Sequence, residues 1–546
     1  MDKKIVLIDG YVDEPSCLGV PPYISPYIRY TYGALLDLGI KEEKIDYYLI
    51  DEVRKNMKEY VDKFKSTDLV IIIAGTTVPG KYMGGKPISL KEINNISKQI
   101  SKDTKTLLGG PVLLTFKDTS TFTNIEVAGF LDETGALGIY EYLSGQKPEN
   151  NKINYWAKLG SRITRKHPNY PALVCEIETY RGCIRPKSCS FCSEYLKKVL
   201  YTRPHDEIAK EVEALYNEGN KYFRIGAQTD LFMYGADYED GILTPKPEII
   251  HKLYSVIKEK APNLLVLHMD NANPATIAGF PSKSEEIIKI ITNYNTPGDT
   301  AAFGLESADP KVLKANNVGT SPEKTKEAIK IMNEAGGFRE EGIPKLLPGL
   351  NFLHGLSNED EETYELNFNF LKELLDEGYL LRRINIRQVI PVPGFEKNKV
   401  NEYKFNKYKE KINKEINKPM LERVFPTGVI MKNVLIESVE GNISFGRQLG
   451  TYPILIGVPG VHEVGRFIDV KIIDHGYRSI TGLKFPFNIN EASLEEFRAL
   501  PGIGKKRASN LFVKKPFKDF EEVKNSLDES FNPKELERLK DCLDVF

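Results

Sequence analysis

At 546 residues the chain exceeds one ordinary domain and has room for about three or four. Hydrophobic residues at 41% and charged residues at 28% describe a globular protein, and a net charge of −1 requires any nucleic-acid surface to be local. No run of about 18 apolar residues occurs, so no membrane span is expected, and Met1 to Gly10 reads as a strand entering a glycine turn rather than a signal peptide. The expected location is the cytoplasm, where clustered thiols serve metal or redox chemistry instead of disulfides.

In chain order, residues 1–150 alternate short β-rich runs (Lys4–Ile8, Asp46–Ile50, Leu69–Ala74, Thr106–Gly109, Ile125–Phe130) with helical segments such as Ile93–Ile100. That alternation predicts a Rossmann-like, doubly wound α/β domain, with a proline-rich loop carrying Cys17. Residues 151–171 form a polar linker with the only tryptophan, Trp156, expected to pack between domains. A second series follows over 172–395. Strands are expected near 174–180, 221–228, 264–270, 300–307, 346–354 and 382–390. Helices are expected near 205–218, 246–260, 284–293, 322–335 and 360–376. The pattern is a partial (β/α)6 barrel, whose functional residues belong at the C-terminal ends of strands. A lysine-rich linker helix (396–424) leads to short strands between glycine turns, a small β-barrel over 425–486. Residues 487–546 form a C-terminal helical hairpin domain around Leu500-Pro501-Gly502-Ile503-Gly504.

The sharpest chemical signal is Cys183, Cys189 and Cys192, spaced Cys-x5-Cys-x2-Cys just after the first core strand. Three thiolates on one short loop suit a soft metal or an iron–sulfur cluster, and three ligands leave one metal position open. Zinc is the alternative, for which Cys175 and His167 are poorly placed fourth ligands. Glu176 and Glu178 alternate along the strand and share a face. If that face is the barrel interior, two buried carboxylates need partners, which makes them catalytic candidates.

The loop and its barrel resemble the radical S-adenosylmethionine superfamily over about residues 172–395. The resemblance implies a [4Fe–4S] cluster on the three cysteines, with its fourth iron chelating S-adenosylmethionine, whose cleavage yields a 5′-deoxyadenosyl radical. The family's usual spacing is Cys-x3-Cys-x2-Cys, so this loop is two residues longer, while Phe191 keeps the aromatic before the last cysteine. Gly226-Ala227-Gln228 occupies the place of the element that receives the methionyl amino group. Phe303–Pro310 resembles the fourth-strand segment, placing Glu306 and Ser307 near the cofactor. Leu350–Leu356 resembles the fifth, with Gly355 at adenine. Ile384–Phe395, including Arg387, resembles the barrel end of the methylthiotransferase-like branch. His268, Asp270 and Asn271 end the third strand and are candidates for substrate or ribose contact, with strand-end hydrogen bonding as the alternative.

Residues 427–484, including Arg447, resemble a TRAM domain, a small RNA-binding barrel. Residues 488–513 resemble a helix-hairpin-helix element, where Gly502 and Gly504 let backbone amides approach a phosphate and Lys505, Lys506 and Arg507 add charge. The assembly resembles archaeal-type members of the superfamily. It implies radical modification of a structured RNA, tRNA above all, with an electron donor such as ferredoxin or flavodoxin. Methylthiotransferases hold a second cluster on three N-terminal cysteines, but residues 1–170 contain only Cys17, so that design cannot form. The N-terminal domain also resembles the cobalamin-binding domain of another branch. Residues 1–150 contain no histidine, so a cobalamin there would lack a histidine on cobalt. Two rivals stay open: a radical enzyme acting on a small molecule or protein, and a non-catalytic nucleic-acid-binding protein with a structural cluster.

Overall fold

A computed structural model describes residues 2–12, 22–76, 82, 84–115, 127–197, 200–390 and 392–545. Cys17 lies outside the described residues. Five parallel strands build the N-terminal sheet. Their spatial order is Ile45–Leu49, Ile5–Asp9, Leu69–Ile73, Lys105–Gly109 and Gly129–Phe130. Ile5–Asp9 and Leu69–Ile73 are buried along their whole length, as strands covered on both faces must be.

The stretch after the proline-rich loop holds a helix that the sequence pattern conceals. Pro26–Asp37 is N-capped by Ser25 and has Pro26 in its first turn. It is buried on every side from Pro26 to Leu35, so it lacks an amphipathic period. Residues 151–171 are a packed joint rather than an extended linker. Helix Lys152–Leu159 and the 3-10 segment Gly160–Lys166 lie against Pro26–Asp37. Two glycines let the backbones touch: a Cβ on Gly33 would fall 2.1 Å from the Trp156 carbonyl oxygen, and one on Gly160 would fall 1.9 Å from that of Arg29. Trp156 is fully buried and donates to Asp37 at 3.0 Å.

Six parallel strands form the core: Val174–Glu178, Tyr222–Gly226, Val266–Met269 continuing as Asn271–Ala272, Asp299–Glu306, Leu346–His354 and Arg383–Gln388. Helices His205–Asn217, Pro247–Lys260, Pro281–Tyr294, Pro322–Gly336 and Glu361–Asp376 connect them. The third strand breaks at Asp270, which divides the arc into two hydrogen-bonded sheets. Tyr23–Ile24 joins the arc's edge, parallel to Val174–Cys175, so the core sheet borrows a strand from the N-terminal region.

Buried charge sews this borrowed segment in place. Glu211 lies between Arg29 and Arg203 at 2.6 Å from each, and all three side chains are fully buried. Arg29 also donates to the Glu176 carbonyl, and Arg203 donates to the Glu178 carbonyl (2.9 Å) and Tyr30 Oη (3.0 Å).

Helices Glu402–Ile412 and Lys418–Val424, joined by a π turn, lead to a closed barrel of Ile430–Glu440, Ile443–Gln448, Leu455–Pro459, Phe467–His475 and Ser479–Phe485. The tail has helices Leu494–Ala499 and Lys505–Lys514 around the glycine hairpin. A second pair, Phe520–Asn525 and Pro533–Cys542, shares their hydrophobic core with Ile473 and Leu483 of the barrel.

Removing one member of a buried ion set leaves the others charged and unpaired, at about 3–5 kcal/mol. Glu211→Ala, which strands Arg29 and Arg203, should lower the unfolding free energy by about that much in denaturant titration. A loss under about 1 kcal/mol would show that the cluster does not bind the two regions together.

Candidate functional site

The C-terminal ends of the N-terminal sheet and of the core arc face each other across a cavity of about 390 Å³. Parallel α/β sheets bind ligands at that end of their strands. Val12, Thr76, Pro111 and Thr115, which follow N-terminal strands, form one wall. The opposite wall comes from Glu176, Ala227, Gln228, Asp270, Leu353 and Arg387 of the core, and Phe191 and Lys197 of the cysteine loop close the side.

The loop is fastened to the segment after helix Pro310–Ala315. Ser190 N donates to the Asn316 carbonyl (3.0 Å) and Ser190 Oγ to Asn316 Oδ1 (2.9 Å). Phe191 packs edge-on to Phe395, with ring centroids 6.4 Å apart, in a small apolar cluster with Val389 and Val392. Cys183, Cys189 and Cys192 are half-buried. Burial raises the Cys189 thiol and pushes that of Cys192 up to about 12, and the neighbouring sulfurs add to both shifts. Three neighbouring thiols whose ionised forms burial and one another disfavour are a donor set that bound iron would satisfy, since coordination deprotonates a thiol outright. Among the described residues no such group converges on one metal-ion position. A cubane takes one sulfur per iron and needs a shared rim rather than convergence. The residues present fit that cluster. Cys175 and Cys542 are buried elsewhere, their thiols also pushed up to about 12 by burial.

At the end of the second strand, a Cβ on Gly226 would fall 2.1 Å from Glu176 Oε1, a carboxylate that Arg224 and Tyr23 hold in place. Ala227 turns with φ 58°, and Gln228 Oε1 is buried with no hydrogen-bond partner among the described residues. That orphaned acceptor suits an ammonium donor. Glu306 sits at a bulge with φ 67°, and its side chain folds over Gly304. Burial pushes its carboxyl up to about 8, so at neutral pH it can donate as well as accept. Asp270 and Arg387 face the cavity as well.

Other predicted site residues have structural engagements. Glu178 is held by Arg181 at 2.7 and 3.0 Å and by Tyr27 Oη at 3.1 Å, and it does not line the cavity. Glu176 reaches the cavity floor but is paired with Arg224 (2.6 Å) and accepts from Tyr23 Oη. Both carboxylates are buried and partnered, three of their partners lying beyond the first strand's own neighbourhood. Ser307 is fully buried against Asn367 and caps Asp309 N at 3.1 Å. Gly355, with φ 91°, is covered by Lys397 and Asn398.

His268 belongs to a joint with the small barrel. Thr451 N donates to His268 Nδ1 (2.9 Å), Thr451 Oγ1 to the Met269 carbonyl (2.8 Å), and Tyr452 Oη to Asp270 Oδ1 (2.7 Å). Burial lowers the His268 pKa to about 3, so the ring is neutral and able to accept. Gly450 is required here, since a Cβ would lie 2.7 Å from the imidazole. Tyr452 is thus a contact of the cavity wall that the sequence does not single out. Its signal, a tyrosine two residues after a glycine in a strand-poor turn, is too common to read.

The two arginines assigned to nucleic acid are committed within the protein. Arg447 forms a two-point pair with Glu437, both bonds 2.7 Å, and is nearly buried. Arg507 does the same with Asp528 at 2.7 Å. Gly502 (φ 69°), Gly504, Lys505 and Lys506 remain exposed, and space is open where a Gly504 Cβ would stand.

The model of the Radical SAM superfamily matches residues 177–367. An uncharacterised protein of Archaeoglobus fulgidus is 41% identical over 523 residues, covering 94% of this chain and 95% of its own. One of Methanocaldococcus jannaschii is 41% identical over 511 residues, covering 88% and 93%. The ribosomal protein uS12 methylthiotransferase RimO of Vibrio vulnificus is 22% identical over 460 residues, covering 81% and 89%. Among solved structures, the radical S-adenosylmethionine methyltransferase TsrM of Kitasatospora setae, with cobalamin and a [4Fe–4S] cluster, matches with a TM-score of 0.49 and 13% identity over 71% of this chain and 75% of that one.

The chain belongs to the radical S-adenosylmethionine superfamily and is an enzyme of that class. Within it, the chain groups along nearly its whole length with the two archaeal proteins, and more distantly with the methylthiotransferases.

Replacing Cys183, Cys189 or Cys192 singly with Ala should abolish the visible absorption and the bound iron after anaerobic reconstitution. Cys175→Ala and Cys542→Ala should retain both. Full iron in any of the first three would remove that cysteine from the ligand set.

Proposed function

We propose that this enzyme modifies an unactivated carbon of a structured RNA, tRNA above all, by radical chemistry at the cavity between the two sheets. When bound, the cluster and S-adenosylmethionine supply reductive cleavage of the sulfonium and a hydrogen-abstracting radical. The observation that carries the reading is the three-cysteine loop, whose Gly182 carbonyl lies 3.5 Å from the hydroxyl of Thr229, the residue after the buried, unpartnered Gln228. Gln228 and the Gly226–Ala227 backbone would take the methionyl ammonium. Glu306, holding its proton, would meet a ribose hydroxyl. Leu353, Val389 and Val392 would keep water from the reacting carbon.

The reaction class that fits is methyl transfer or another radical C–H modification, because the N-terminal region cannot ligate a second cluster through three cysteines. A cobalamin would belong against the wall of Val12, Thr76, Pro111 and Thr115, without a histidine on cobalt. The electron would come from a low-potential donor of the ferredoxin or flavodoxin kind. The RNA would be held by the small barrel, which we read as TRAM-like, and by the glycine hairpin. The open space over Gly504 at the N-terminus of helix Lys505–Lys514 suits a backbone phosphate.

A second reading takes a protein substrate. It is favoured by the likeness over 81% of this chain to an enzyme named for a ribosomal protein.

Anaerobically reconstituted and reduced enzyme should convert S-adenosylmethionine to 5′-deoxyadenosine and methionine, and Cys189→Ala should form neither. Mass spectrometry of tRNA nucleosides from cells with and without the protein should show one missing modification. An unchanged nucleoside spectrum with a changed ribosomal-protein peptide would replace the RNA reading with the protein one. For binding, Lys505→Ala and Lys506→Ala should each weaken RNA affinity and reduce the salt slope by about 1. Arg507→Ala should leave the slope nearly unchanged, since its guanidinium already serves Asp528.

A further inference from the structure

Arg185 lies in the lengthened part of the cysteine loop, between Cys183 and Cys189. Its Nη1 donates to Cys189 Sγ at 3.0 Å, and its Nη2 donates to the Asn317 carbonyl at 2.9 Å. Gly319 makes room for it: a Cβ there would lie 2.6 Å from the guanidinium carbon and 2.7 and 2.8 Å from two of its nitrogens. The guanidinium is therefore held at a fixed place by a sulfur, a carbonyl and a glycine floor. Among the described residues no carboxylate pairs with it. A cation that could have been spent on a surface ion pair instead faces a cluster ligand.

Adding an electron to an iron–sulfur cluster makes it more negative. A hydrogen bond to a ligand sulfur and a nearby fixed positive charge both favour the reduced form, and hydrogen bonds to sulfur are among the main controls of cluster potential. Elsewhere in the loop the Glu194 backbone N–H serves the Cys192 sulfur, Ser190 is engaged by Asn316 and Phe191 packs on Phe395, so Arg185 adds a charged donor to a second ligand sulfur.

We propose that Arg185 is a positioning residue that raises the reduction potential of the cluster through its N–H···S bond to Cys189. The two additional residues of the loop then have a purpose, since they bring a guanidinium onto a sulfur and anchor it on the segment Asn316–Gly319.

The test uses the full chain, reconstituted anaerobically, as wild type, Arg185→Ala, Arg185→Lys and Gly319→Ala. Iron content is measured first. The EPR signal of the reduced cluster is then followed against applied potential without S-adenosylmethionine. With iron unchanged, Arg185→Ala should lower the reduced-to-oxidised ratio at a fixed potential about tenfold, a shift of about 59 mV for a one-electron couple. Arg185→Lys, which keeps the charge and loses the fork, should fall between. Gly319→Ala should shift in the same direction as Arg185→Ala, because it displaces the guanidinium without removing it.

Full iron with an unchanged midpoint in Arg185→Ala would overturn the proposal. So would loss of iron in Arg185→Ala together with wild-type midpoints in the other two variants. Loss of iron in all three would assign Arg185 to holding the loop, which also overturns it. A wild-type chain that takes up no iron would instead bring down the cluster itself.

Discussion

The fully buried Glu211, between Arg29 and Arg203, is the interaction on which the rest of the structure depends. Charges removed from water must be compensated in place, so the three side chains can be buried only if the N-terminal helix and the core adopt this one arrangement. The same arrangement sets Tyr23–Ile24 on the edge of the core sheet and brings Tyr23 to Glu176 and Tyr27 to Glu178. The cavity has walls from both regions, so its shape is a consequence of this joint.

A second joint works from the far side of the core. Thr451 and Tyr452 of the small barrel bond to three successive residues of the third strand, His268, Met269 and Asp270. The strand breaks at Asp270, where its ladder is interrupted and outside partners take over. Arg383 lies over the Tyr452 ring, 4.0 Å from its centroid, and fixes the tyrosine. The small barrel therefore supplies the partner of a carboxylate that lines the cavity.

Within that frame the site has a division of labour. The cysteine loop offers sulfur donors and a fixed cation, and the second and fourth strand ends offer an orphaned acceptor and a carboxyl whose pKa is raised by desolvation. The N-terminal wall offers surface without histidine or a second set of cysteines.

The core was legible from the sequence because its signals are local. Leu346–His354 and the helix starting at Pro322 follow from hydrophobic runs and a capped, proline-led start, and the cysteine loop from spacing alone. Helix Pro26–Asp37 was not legible, because complete burial removes the periodicity that marks a helix. Nor were the partners of charged residues. Glu178, Arg447 and Arg507 look available in a sequence, yet each is neutralised by a group that the fold brings to it. His268 looks like a strand-end ligand and instead accepts from a backbone amide 183 residues away. The sequence by itself determined where strands end and which loop gathers the cysteines, since spacing and periodicity are properties of neighbouring residues. Only the tertiary structure decided which polar groups remain for chemistry, because a buried charge must be satisfied by whatever side chain the packing places beside it.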